Sequence, residues 1–220
     1  MKRNLLILTL IVISLPVSAQ NIDVGVGYGN SYFTAPEKYV NEVYNHGYGF
    51  SDSHPFTGTV FYSIPNKPVS LFASTVYQKL YGRGFLPIAF LDNSNLLPGE
   101  VENKSSLWSL SFGAELAFVK LHSSPFLSGE ILLSKMENIS ITQGASNGNI
   151  NKQTSGVVRS GIAVGGGFNL SVFNGIMIKI NGKYNLYGLF SRPADEQSVN
   201  SVQLLGMITF PLYSITTEQQ

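Results

Sequence analysis

Oily and polar positions alternate along this chain with a period of two, and they do so in eight separate stretches. In residues 176–187 one set reads Ile176, Ile178, Ile180, Gly182, Tyr184, Leu186 and the other Met177, Lys179, Asn181, Lys183, Asn185, Tyr187. Successive side chains of a strand point to opposite faces, so this stretch is a strand with one oily and one polar side. Residues 106–119 repeat the pattern, with Trp108, Leu110, Phe112, Leu116 and Phe118 opposing Ser109, Ser111, Gly113 and Glu115. At the start Ile22, Val24, Val26 and Tyr28 oppose Asp23, Gly25, Gly27 and Gly29. Near the end Val202, Leu204, Ile208, Phe210 and Leu212 oppose Gln203, Leu205, Met207 and Thr209. Less regular strands are expected at 56–64, 69–79, 126–135 and 157–172.

The connections alternate in length. Short turns fall at Pro65-Asn66-Lys67-Pro68, at 120–124 and at Phe173-Asn174-Gly175, and long polar segments separate the other strands. Short turns at one end and long loops at the other characterise outer-membrane barrels. The expected fold is all-β: an eight-stranded antiparallel up-and-down transmembrane β-barrel.

Residues 1–19 read as a cleavable export signal: Lys2 and Arg3, an apolar run from Leu5 to Leu15, Pro16, then Val17-Ser18-Ala19. That run is shorter than the roughly 20 residues a spanning helix needs. Residues 20–220 then form one barrel domain. Without Lys2 and Arg3, 12 of the 14 basic residues remain against 13 acidic ones, a net charge of −1. Near-neutrality speaks against a nucleic-acid partner. There is no cysteine, and only 12% of residues are charged, about half the usual share for a soluble domain.

Alternation alone does not say which face points inward. Eight strands enclose a lumen just wide enough for side chains. The oily rows, with Trp108, Phe112 and Phe118, would overfill it, whereas Gly and Ser fit. The oily face therefore points out to lipid. Tyr28, Tyr62, Tyr77, Trp108, Phe118 and Phe210, with Phe56, are the expected interfacial aromatics. A soluble ligand-binding barrel is the inverse arrangement.

The polar face carries Asp23, Glu115, Glu130, Arg159, Lys179 and Lys183, three acids against three bases, read as an ion-pair network that plugs the lumen. Glu115 and Glu130 are expected to face each other at similar depth, with Lys179 or Lys183 between them to relieve their repulsion. The alternative makes the same residues the constriction of a narrow diffusion channel. Paired carboxylates also occur in glycosidases, but a filled lumen admits no sugar. His46, His54 and His122 have no metal-ligand spacing; His46 and His54 with Asp52 are the one conceivable set. Ser51, Ser53 and His54 offer the elements of a lipid-acting hydrolase, though no motif selects them. Gly165-Gly166-Gly167 lacks the Lys-Ser/Thr of a phosphate loop and suits a tightly curved strand. A short helix is expected at 36–44. The apolar stretch 85–91 is either a patch over the barrel mouth or a strand extension.

The Tyr77-Gln78-Lys79-Leu80-Tyr81-Gly82 and Lys183-Tyr184-Asn185-Leu186-Tyr187-Gly188-Leu189 segments, within this pattern, resemble small outer-membrane barrels of the OmpA/OmpX type. In flavour they resemble the PorT-like barrel domain of Bacteroidota. The resemblance implies a Gram-negative outer-membrane location. Phe210 and Tyr213 are followed by Ser214 to Gln220, a departure from barrels that end on an aromatic. The functional expectation is a monomeric, non-enzymatic barrel without cofactor. It would be surrounded by outer-membrane lipid, with its long loops free for an unidentified protein partner.

Overall fold

The computed structural model describes residues 21–36, 48–50, 52–85, 100–118, 123–143, 150–173, 175–191 and 199–213. The segment 1–19, residues 37–44 of the expected helix and residues 86–91 of the apolar stretch lie outside them.

Eleven strand segments form one antiparallel sheet. They are β1 Asn21–Ala35, β2 Asp52–Ser53, β3 Phe56–Ser63, β4 Val69–Phe85, β5 Glu100–Ala117, β6 Ser123–Met136, β7 Ile139–Gln143, β8 Ile150–Thr154, β9 Val157–Phe173, β10 Ile176–Ser191 and β11 Val199–Tyr213. Eight of them close a ring in the order β1-β3-β4-β5-β6-β9-β10-β11, with β11 returning to pair with β1. Each is hydrogen-bonded to its neighbours in sequence, which is the expected up-and-down barrel. Following directly paired residues from Val24 through Val60, Phe112 and Leu186 to Asn200 leads back to β1 at Ala35, eleven residues above the start. That stagger is the shear that obliges the strands to tilt around the axis.

The three remaining segments extend the wall at the long-loop end. β2 bridges Ser31 and Tyr32 of β1 and Leu80 of β4. β7 continues the line of β6 beside β5, and β8 pairs back onto β7. The strands therefore run further than the alternation suggested: β4 to Phe85 instead of residue 79, and β5 from Glu100 instead of residue 106. The start of the apolar stretch is thus a strand extension.

Side-chain direction follows the expected polarity. Trp108, Leu110, Phe112, Ile131, Ile180, Leu204 and Ile208 face outward and are exposed, while Glu115, Glu130, Arg159, Lys179 and Lys183 are buried in the lumen. Inward glycines make room for the large lumen side chains. A Cβ on Gly165 would press on Lys183 Cγ, and one on Gly113 on Phe72 and Glu130. Gly167 has no space at all, since a Cβ there would overlap the carbonyl oxygen of Ile180 on β10. Gly129 on β6 is the contrasting case, because a Cβ there would meet nothing within 4 Å. Gly167→Ala is expected to cost about 2 kcal/mol or more and Gly129→Ala no more than about 0.5 kcal/mol, read from urea midpoints of the refolded barrel.

Candidate functional site

Among the described residues, the lumen is where the fold brings ionisable groups together out of solvent, and it is built in tiers. In the tier nearer the short turns, Lys179 of β10 reaches across to Glu115 of β5, Nζ to Oε2 2.5 Å. Asn169 of β9 donates to the other oxygen, Oε1, at 3.0 Å. The Lys179 ammonium also lies over the rings of Phe61 and Phe126, 4.0 and 4.7 Å from their centroids. In the next tier Lys183 pairs with Glu130 of β6 at 2.7 Å and stands 5.7 Å from the Phe72 ring. Each ammonium group is thus met by a carboxylate and an aromatic face, partners that compensate the burial of a cation.

The expectation that Glu115 and Glu130 face each other at one depth is corrected by the register. Glu115 is opposite Ser128, and Glu130 is opposite Gly113. The carboxylates are therefore two residues out of step, and each takes its own lysine. The pairing ends with Ala117 opposite Phe126, so Glu115 stands two residues from the turn and Glu130 four. Asp23 is half-buried near the Lys179 charge but joins no ion pair among the described residues. Arg159 is 2% exposed and sits opposite Ser134 on β6, nearer the loop end than either pair. It belongs to the lumen but not to the two lysine–glutamate pairs.

Hydroxyls and amides complete the polar filling. Ser74 bonds both Thr57 and Thr59 at 3.0 Å, Ser109 and Ser134 bond at 2.9 Å, and Asn185 donates to Ser201 at 3.1 Å. Around the ion pairs the remaining free space is about 10 Å³, on the order of one water.

Toward the long loops an apolar cluster joins the polar filling, which the alternation does not indicate. Phe33, Leu80, Leu107, Met136, Tyr187 and Val199 form a cluster that takes in Tyr48 and Phe50 from the first long connection. Asn103 donates to the Tyr48 carbonyl at 3.0 Å. Gly82 permits this approach, because a Cβ there would collide with the same oxygen. Phe61, Phe72 and Phe126 also face the lumen. Phe61 continues the inward set of Thr57 and Thr59, so register was the signal that could have found it.

Outside, the seven expected aromatics all lie on the outward face. Tyr28, Phe56, Tyr77 and Trp108 are successive cross-strand partners across β1, β3, β4 and β5, and the Tyr77 and Trp108 rings are 4.5 Å apart. Tyr62, Phe118 and Phe210 lie toward the short turns. The hydrolase elements are not assembled: Ser53 points inward and donates to Gln78 at 3.1 Å, while His54 lies outside against Asn30 at 2.8 Å and Tyr28. Ser51, His46 and His122 lie outside the described residues.

No protein-family model and no curated protein sequence matches this chain. Solved structures do. Neisserial surface protein A (NspA) shares 12% identity, covers 89% of this chain and 98% of its own, and superposes with a TM-score of 0.51. Ail, the attachment invasion locus protein of Yersinia pestis, shares 13% over 88% of this chain and all of its own (100%), with a TM-score of 0.49. The N-terminal β-barrel domain of Pseudomonas aeruginosa OprF shares 12% over 88% of this chain at 0.37. The last two overlaps are too loose to carry an argument. Together with the strand order, the NspA likeness places the fold among eight-stranded outer-membrane barrels. The PorT-like kinship and a Bacteroidota source find no support there.

Removing one partner of a buried pair leaves the other charge uncompensated. Lys179→Met is expected to destabilise the barrel by about 3–5 kcal/mol. The double variant Glu115→Gln/Lys179→Met should recover most of that loss, as read from urea midpoints of the two proteins side by side.

Proposed function

We propose that this protein is an integral outer-membrane barrel with a closed lumen, serving a structural or interaction role through its long-loop end. One observation carries the reading: a closed sheet with an apolar outer wall and an ion-paired interior. Water cannot be the solvent of that wall, because exposed residues such as Ile131, 65% accessible, Phe112, 53%, and Leu204, 56%, form continuous rows. Patches of that extent mark contact with lipid or protein. A bilayer in turn tolerates strands only when every backbone group is paired in a closed ring. Export on residues 1–19, a monomeric state and lipid as the immediate partner are part of the same proposal.

Space of about 10 Å³ around the pairs and the apolar cluster above them speak for a plug and against a diffusion channel. Ser53 and His54 pointing to opposite sides of the wall speak against a hydrolase.

The purified chain should insert into lipid vesicles, run with different gel mobility before and after boiling, and give no single-channel steps in planar bilayers. Steady conductance steps would overturn the plug. Ile180→Lys, on the outer wall, should weaken insertion by about 2–4 kcal/mol, measured as the fraction folded into vesicles. An unchanged fraction would count against the membrane.

A further inference from the structure

We propose that the loop-side end of the outer wall of β4, β5 and β6 seats the phosphate of a membrane lipid between Lys79 and Lys135. Trp108 lies beneath them against the acyl chains. The proposal rests on the membrane reading above and names a partner within it.

The first observation is sectoral. Among the described side chains, every outward-facing cation on a strand lies on β4, β5 or β6: Lys79, Arg83, Lys104 and Lys135. The outer faces of β1, β3, β9, β10 and β11 carry none. A belt of solubilising charge would run round the ring, whereas this is a patch.

The second observation is a groove. β6 stops at Met136 and β7 starts at Ile139, so the wall is interrupted at Glu137-Asn138. Beside the interruption lies a groove of about 470 Å³ whose walls include Tyr77, Lys79, Tyr81, Lys104, Ser106 and Glu137. A second hollow of about 370 Å³, reached across Glu137 and Asn138, includes Lys135. The interruption is itself fixed, with Ser106 Oγ donating to Glu137 Oε2 at 2.8 Å and Glu137 N to the Ser106 carbonyl at 2.9 Å.

The third observation separates engaged from available cations. Lys104 is held by Glu102 at 2.6 Å. Glu102 also accepts a hydrogen bond from the Tyr81 hydroxyl at 3.1 Å. Lys79 and Lys135 form no ion pair among the described residues. Lys135 is the direct partner of Trp108, and Lys79 is opposite Ser106, one pleat pair from Trp108. With strands about 4.8 Å apart and a rise of about 3.3 Å per residue, the two lysine backbones lie about 12 Å apart across β5, close enough for both long side chains to meet one phosphate. The Glu137 carboxylate, held by Ser106 Oγ, offsets one of the two ammonium charges, so the seat offers a single net positive charge and suits one phosphate rather than a cluster of anions.

The chemistry that answers two free ammonium groups above an aromatic and apolar wall is a phosphate attached to acyl chains. A free phosphate satisfies the lysines but leaves Trp108 and the wall unused.

The test places the full chain in phosphatidylcholine nanodiscs containing a minority of phosphatidic acid. The phosphatidic acid retained by the protein is then measured by native mass spectrometry. Relative to the wild type, Lys79→Ala/Lys135→Ala is expected to lower retention about 25-fold, the product of roughly fivefold per lysine. Lys67→Ala, in the short turn at the other end, should leave it unchanged, and millimolar inorganic phosphate should not displace the lipid. Equal retention by the double variant, or displacement by inorganic phosphate alone, overturns the proposal. Both lysines are solvent-facing, and the gel-mobility shift reports whether each variant has folded. A chain that never enters the nanodisc defeats the membrane reading instead.

Discussion

Closure of the sheet by β11 against β1 is the constraint on which the rest depends. Thirteen residue pairs join the two strands, from Ile22 with Tyr213 to Ala35 with Asn200. Without them Val24 to Tyr32 and Val202 to Phe210 would present open hydrogen-bonding edges, which neither a bilayer nor a crowded periplasm tolerates. Once the ring is closed, alternation leaves every strand with one face inside and one outside. The narrowness of eight strands then decides what each face can hold.

The lumen is the consequence. It is too tight for solvent and too polar to be left empty, so its charges must satisfy one another. Glu115 with Lys179 and Glu130 with Lys183 do so in two steps up the axis. Inward glycines at 113 and 165 leave space for the long side chains to cross. Pairs of this kind are weak evidence for added stability, since desolvation offsets most of their attraction. Their effect here is on register: slipping β5, β6 or β10 by one residue would turn a buried charge out to the oily face.

The barrel, its polarity and five of the six lumen ions in their buried positions were legible because period-two alternation survives along every strand. What was not legible came from relations between strands. The offset of Glu115 from Glu130 depends on pairing register, which no single strand records. The apolar cluster at the loop end draws Tyr48 and Phe50 from a connection, and only the fold brings them to Leu80 and Leu107. The β7–β8 hairpin is marked in the sequence only by Asn147-Gly148, a turn dipeptide flanked by strands too short to show alternation. Asp23 shares the inward face but lies in the first turns of β1, where side chains are only half covered.

The central claim is that the oily face meets hydrocarbon, and the chain carries one tryptophan, Trp108, on that face. The direct measurement is Trp108 emission from the protein refolded into vesicles whose lipids carry bromine on the acyl chains. Strong quenching relative to unbrominated vesicles is the predicted result. Emission unaffected by bromine, at the wavelength of an indole in water, would contradict it.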